Sequence, residues 1–219
     1  MSPAQLIFNI PHQSHYNAED FIVSNSNQEA FDYITSWPHW VDVGVFLFGP
    51  KSCGKTHLSH VWAKKSKAVL INAADLHGIN VSDSPLQIIV EDIQNLNPEG
   101  FEKLFHLYNH LYQKKGNLVV TADRPLSDLD LPLQDLKSRL SRLVAVQIKT
   151  PDEILMRLYI MKLFSDFQIT VSDVEIKYLS THLKRNFKEV LYTIKYLNNK
   201  SIEEKRKITI PFIKSVLGA

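Results

Sequence analysis

Eight consecutive residues, Gly49-Pro50-Lys51-Ser52-Cys53-Gly54-Lys55-Thr56, fit the spacing G-x-x-x-x-G-K-[ST] in full. These residue types suit one task, the cradling of a phosphate chain. The glycines let backbone N–H groups turn inward, and the amino end of a following helix adds partial positive charge. Lys55 is expected at the β- and γ-phosphates and the Thr56 hydroxyl at Mg²⁺. The plain alternative is a glycine turn that carries Lys-Thr by chance. A second signal is Leu86-Gln87-Ile88-Ile89-Val90-Glu91-Asp92, an apolar run ending in two acids. Glu91 at such a strand end can hold Mg²⁺ through its water shell, and Asp92 can orient an attacking water. Its bland counterpart is a solvated acidic strand end. Cys53 reads as a small side chain tolerated in the loop. The nine histidines show no metal-ligand spacing, because the pair His106/His110 lacks the glutamate of H-E-x-x-H.

Such a loop needs a buried strand before it and an amphipathic helix after it. Val43 to Phe48 is a continuous apolar run of strand length, and Leu58, Val61, Trp62 and Ala63 follow at helical spacing. Ala68 to Ile71 reads as a second buried strand, Leu86 to Val90 as a third, Leu118 to Thr121 as a fourth and Val144 to Ile148 as a fifth. Phe101, Leu104, Phe105, Tyr108, Leu111 and Tyr112 predict an amphipathic helix. Strands alternating with helices predict a parallel sheet covered on both faces. Residues 18–36 read as a short extended piece, then a helix through Ala30, Phe31 and Ile34. The pattern changes at Thr150-Pro151-Asp152-Glu153, where a capping threonine, a first-turn proline and a glutamate predict a helix start. Ser172-Asp173-Val174-Glu175 predicts a capping box, and Phe187, Val190, Leu191, Ile194 and Leu197 share one helical face. The expected division is a tail over 1–15, an α/β nucleotide-binding domain over 16–149 and an all-α domain over 150–219.

The chain has 219 residues, enough for one core and a small appendage. Its 44% hydrophobic and 22% charged residues exclude disordered and fibrous classes. A net charge of +2 gives no bulk attraction to nucleic acid or membrane. One cysteine allows no internal disulfide, so a reducing cytoplasm is expected. No apolar run reaches membrane-spanning length, and no secretory signal is read at the start.

Beyond the loop, the sequence resembles the AAA+ proteins of the bacterial replication-initiator group. Within that group it is most similar to the Hda-type, DnaA-related regulators, in the short form found in alphaproteobacteria. The segment from Asn17 to Asn27, with Phe21, Val23 and Asn27, resembles the initiator stretch that enters the adenine pocket. Phe101 through Pro125, ending in Thr121-Ala122-Asp123-Arg124-Pro125, resembles the sensor 1 region. Leu136-Lys137-Ser138-Arg139-Leu140 resembles the arginine-finger box, and Asn186-Phe187-Lys188-Glu189 stands where sensor 2 is expected. Gln5-Leu6-Ile7-Phe8-Asn9-Ile10 resembles the family's clamp-binding peptide. The likeness covers about residues 5 to 217.

The resemblance implies a P-loop AAA+ parallel sheet followed by a small α-helical lid. It implies ATP or ADP with Mg²⁺ as ligands, Thr121 as sensor 1 and Lys188 as sensor 2. Arg139 would be an arginine finger reaching a neighbour's nucleotide, with Arg142 as second choice. A guanidinium suits that role as a rigid, always-charged fork of donors. Gln5, Leu6, Phe8 and Ile10 would dock on the DNA polymerase III β sliding clamp, and the initiator DnaA would be the partner whose ATP hydrolysis is stimulated. DNA is expected only through these partners, with a homodimer or transient oligomer left open. Three departures from the family pattern stand out. The acids are Glu91-Asp92 rather than Asp-Glu, so self-hydrolysis is expected to be weak. Lys188 replaces an arginine, with Arg185 one turn earlier as a substitute. Only about 15 residues separate the second and third strands, little room for the helical insertion that initiators use on single-stranded DNA. No helix-turn-helix reader is expected after the lid. The rival functions are a DNA-binding initiator or helicase-loader-like module, and a stand-alone P-loop ATPase.

Overall fold

A computed structural model describes residues 17–218. The residues fall into two units, one over 17–152 and one over 153–218. The first opens with a short 3₁₀ turn and helix α1 (Gln28–Thr35), then strand β1 (Gly44–Phe48) and α2 (Lys55–Ser66). Next come β2 (Val69–Asn72), β3 (Gln87–Glu91), α3 (Pro98–Lys114), β4 (Asn117–Ala122), α4 (Gln134–Leu140) and β5 (Val144–Gln147). The strands form one sheet in the order β2-β3-β4-β1-β5, and every neighbouring pair is parallel. A parallel sheet needs helical cover on both faces, which explains the unbroken apolar runs. Strand alternation then sorts the side chains. Phe46, Ile88, Val90, Leu118, Val120 and Ala122 pack against α3, while Val45, Leu47, Ile89 and Val119 pack on the α1–α2 side.

Two sequence expectations need correction. The run Ala68 to Ile71 is a strand, but not a buried one: β2 lies at the sheet edge, and Val69 is 44% exposed. Apolar composition reports strand propensity and cannot report which strand ends up outermost. The helix expected to start with a Thr150 cap instead begins at Glu153, as α5 (Glu153–Asp166). Thr150, Pro151 and Asp152 thus lie before the helix.

The second unit contains α5, α6 (Asp173–His182), α7 (Phe187–Glu204) and α8 (Ile210–Leu217). The Ser172 capping box forms: the Ser172 hydroxyl accepts from Val174 N–H, and Glu175 reaches back to the Ser172 N–H. Met156, Ile160, Phe164, Leu179, Val190, Ile194, Leu197 and Phe212 make a core of their own. No helix among the described residues is long and apolar enough to cross a membrane.

Candidate functional site

The loop between β1 and α2 is built by close backbone approach. Gly49 N–H donates to the Ala122 carbonyl at 3.2 Å, and Ile148 N–H donates to the Phe48 carbonyl at 2.8 Å. A Cβ on Gly49 would lie 2.1 Å from the Ile148 oxygen, so only glycine fits there. Ser52 (φ 58°) and Gly54 (φ 112°) take left-handed backbone and turn the chain around the cradle. The amino end of α2 has no side-chain cap and no acid in its first turn. Its free N–H groups and dipole therefore favour an anion. Lys55 is buried, and its ammonium donates to the carbonyls of Gly49 (2.8 Å) and Pro50 (3.0 Å). Pro50 and Lys51 are exposed on the loop, whereas Cys53 is buried. Burial pushes the Cys53 thiol above its ordinary value despite Lys55, so a reactive thiolate is disfavoured.

The acid pair is split by backbone geometry. Glu91 follows the alternation of β3 onto the α2 side and is buried. Asp92 then turns left-handed at φ 56°, and its side chain is exposed. Burial raises the Glu91 carboxyl; the Thr56 hydroxyl and Lys55 oppose the rise, and the Asp92 charge adds to it. Glu91 Oε1 has no hydrogen-bond partner among the described residues. A buried orphan carboxylate oxygen beside an exposed threonine hydroxyl is a donor set of the hard-oxygen kind that suits Mg²⁺.

Thr121, buried on β4, accepts from the Asp92 N–H at 3.0 Å. It fixes the turn that redirects the second acid. Two further residues join the group, Gln94 without a motif and Asp123 from the Thr121–Pro125 stretch that resembles sensor 1. Gln94 donates to Asp92 Oδ1 at 3.2 Å and accepts from the Asp123 N–H at 3.3 Å. Arg124 holds the Asp123 carboxyl below the ordinary carboxylate range, against a modest opposing effect of burial, and the Lys55 and Lys51 charges add to the lowering. Asp123 thus faces the cations of the loop.

The segment expected at the adenine lies beside α2. Phe21 stacks on Phe31 (5.5 Å, 10°) and meets His57 edge-on (5.2 Å). Val23 packs on the same cluster. The Asn17 side chain accepts from Lys64 at 2.6 Å. Asn27 is buried, with Oδ1 accepting from Ser24 N–H (2.8 Å) and Nδ2 donating to the Ile22 carbonyl (2.9 Å). Its amide shapes the segment.

Arg139 stands at the other end of the sheet. It is in the last turn of α4, and β5 begins at Val144, paired with Val45 near the start of β1. Its charge and that of Arg142 act on Tyr108, as does Asp42, which lies just before β1. The phosphate loop leaves the far end of β1, five residues long, so roughly 15 Å of sheet separates them. The Arg139 side chain is partly exposed and makes no ion pair or hydrogen bond among the described residues. Lys188 is exposed in the first turn of α7, in the second unit. Gln5, Leu6, Phe8 and Ile10 lie outside the described residues. No cluster of three or more metal-ligating side chains occurs among the described residues.

Comparison with known proteins gives two family matches. Residues 82–147 match the bacterial DnaA ATPase domain, and residues 166–217 match the Hda lid domain. The initiator protein DnaA of Campylobacter fetus subsp. fetus is 28% identical over 92% of this chain and 52% of that protein. That of Campylobacter curvus is 25% identical over the same shares. The chain thus spans about half the length of the curated relatives it matches. Domain III of Thermotoga maritima DnaA superposes with a TM-score of 0.82 at 16% identity, covering 94% of this chain and 97% of that one. AMPPCP-bound DnaA from Aquifex aeolicus gives 0.75 at 22%, covering 87% and 67%. A Thermotoga maritima RuvB variant gives 0.74 at 16%, covering 93% and 71%. These structural likenesses establish the fold. A bacterial DnaA ATPase match over residues 82–147 and an Hda lid match over residues 166–217, on a five-stranded parallel sheet with a phosphate loop, support an Hda-type, DnaA-related AAA+ protein.

Proposed function

We propose that this protein regulates replication initiation by binding an adenine nucleotide in its own loop and offering Arg139 to the ATP of DnaA. The observation that carries the proposal is the separation of the two features across the sheet. Residues 49–56 lie at the carboxyl end of β1 and Arg139 at the edge where β1 and β5 begin. An arginine so placed is out of reach of its own loop, yet free to meet a triphosphate on another subunit. Backbone N–H groups of Gly49–Thr56 and the Lys55 ammonium would hold the phosphates, with Phe21 and Val23 beside the base. Thr56 and Glu91 would hold Mg²⁺, which supplies charge neutralisation on the phosphate oxygens. Asp92, Thr121 and Asp123 would line the γ-phosphate side, and Lys188 is the sensor 2 candidate. Residues 5–10 would tether the protein to the sliding clamp, raising its local concentration near replicating DNA.

The test is ATP hydrolysis by DnaA with clamp-loaded DNA, adding wild type, Arg139→Ala, or the Leu6→Ala/Phe8→Ala double variant. Related arginine fingers contribute about 10³ to 10⁵ in rate. Wild type should accelerate hydrolysis strongly and Arg139→Ala should not, while still binding its own nucleotide with unchanged affinity. The tail variant should lose only the clamp-dependent part. Equal hydrolysis with wild type and Arg139→Ala would overturn the reading.

A further inference from the structure

The overall charge of +2 conceals a division between the two units. Residues 153–218 hold twelve Lys and Arg less seven Asp and Glu, a net of +5; residues 1–152 hold thirteen less sixteen, a net of −3. Within the helical unit, α7 buries Val190, Ile194 and Leu197. Its opposite face, read at helical spacing, carries Lys188, Tyr192, Lys195, Tyr196 and Asn199, followed by Glu203, which pairs with Lys200 at 2.7 Å. Tyr192 is 72% exposed and Tyr196 40%. Their rings are parallel within 1°, with centroids 6.5 Å apart on successive turns. Lys195, partly buried, lies on the same face and makes no ion pair among the described residues. Exposed parallel rings interleaved with lysine are poor cover for an apolar protein surface, because each phenol keeps its hydroxyl in water. They are good platforms for bases whose phosphates need cations.

We propose that the outer face of α7 binds single-stranded nucleic acid, with bases on Tyr192 and Tyr196 and the backbone against Lys195. This departs from the expectation of purely indirect DNA contact and does not depend on the proposed action on DnaA. Lys188 continues the same face but is not required, since it is also the sensor 2 candidate.

The test is fluorescence anisotropy of a labelled oligo-dT with the full chain at several salt concentrations. Saturating ATP keeps the phosphate loop from acting as a second anion site. Each tyrosine changed to alanine should weaken binding at least about fivefold. The Tyr192→Phe/Tyr196→Phe pair should bind like wild type, because it keeps the stacking faces. Lys195→Gln should flatten the logarithmic salt slope by about 0.7. Circular dichroism confirms that each variant is folded. Absence of binding by wild type at low salt would overturn the proposal. So would equal binding by the folded alanine variants, or loss of a protein partner with oligonucleotide binding untouched.

Discussion

Changing Gly49 to alanine tests whether the loop depends on contact between backbones. The new Cβ would sit 2.1 Å from the Ile148 carbonyl oxygen and 3.1 Å from Cys53 Sγ. The carbonyl belongs to the backbone and cannot swing aside, so the chain ends at β1 and β5 must part by about 1 Å. That would stretch the Ile148 N–H to Phe48 bond, now 2.8 Å, beyond hydrogen-bonding range. Losing it costs about 1 kcal/mol, and the overpacking adds about 1–3 kcal/mol. A total of about 2–4 kcal/mol is large but below the stability of an ordinary domain, about 5–15 kcal/mol. The variant should therefore fold, with a clearly lower urea midpoint. Moving the loop by about 1 Å also misaligns the N–H groups that would meet phosphate, so ATP affinity should drop at least about tenfold. Gly78→Ala is the control, since its Cβ would meet nothing within 4 Å. Titration with a fluorescent ATP analogue and urea denaturation read both effects. A Gly49→Ala protein that binds ATP within twofold of wild type, at an unchanged midpoint, would refute the reasoning.

Two further perturbations address the acid pair and the helical unit. Glu91→Gln keeps the shape but removes the buried charge, so the nucleotide-free protein should melt no lower than wild type. The tightening of ATP binding by Mg²⁺ should fall about 10–100-fold; equal Mg²⁺ dependence in calorimetric titrations of both proteins would remove Glu91 from the metal site. Ser172→Ala removes the cap of α6 and should destabilise the helical unit by about 1 kcal/mol. The Ser172 hydroxyl, above all, holds the Glu175 carboxyl below its ordinary value. Its contribution is therefore present above the unfolded value and fades as pH falls through the depressed one. Wild type and Ser172→Ala should converge in acid, as followed by circular dichroism, and a gap that widened there would contradict the capping account.

The sheet was legible because each central strand is a continuous apolar run, and the phosphate loop because its spacing is fixed by backbone geometry. The edge position of β2 was not, since Val69 and Leu70 look like core residues until their neighbours are known. Helix α8 has eight residues and Pro211 in its first turn, too short a stretch for its periodicity to stand out in the sequence. The parts played by Asp123 and Gln94 escaped notice for a different reason. Their place in the site comes from hydrogen bonds across two strand ends, and pairing between strands leaves no periodic trace in either one. Asn27 illustrates the converse. The family resemblance marks it as a nucleotide residue, and its buried amide also bonds to Ser24 and Ile22, which fixes the segment carrying Phe21.

Strand alternation and one left-handed residue account for the division of labour at the site. Glu91 and Thr121 fall on the α2 side because their strands alternate in step across the β3–β4 ladder. Asp92 would ordinarily point away, against α3, where a carboxylate would be buried among Leu104 and Leu107. The turn at φ 56° takes it out to solvent instead, and the bond from its N–H to Thr121 holds it there. A left-handed non-glycine residue costs of order 1 kcal/mol, and the stabilisation that maintains it comes from β4. The same two strand ends therefore fix one carboxylate beside Thr56 and set the other at the exposed rim, where Gln94 donates to it. Arg139 stands at the opposite end of the sheet, and the proposed function therefore gives it to a triphosphate on another subunit.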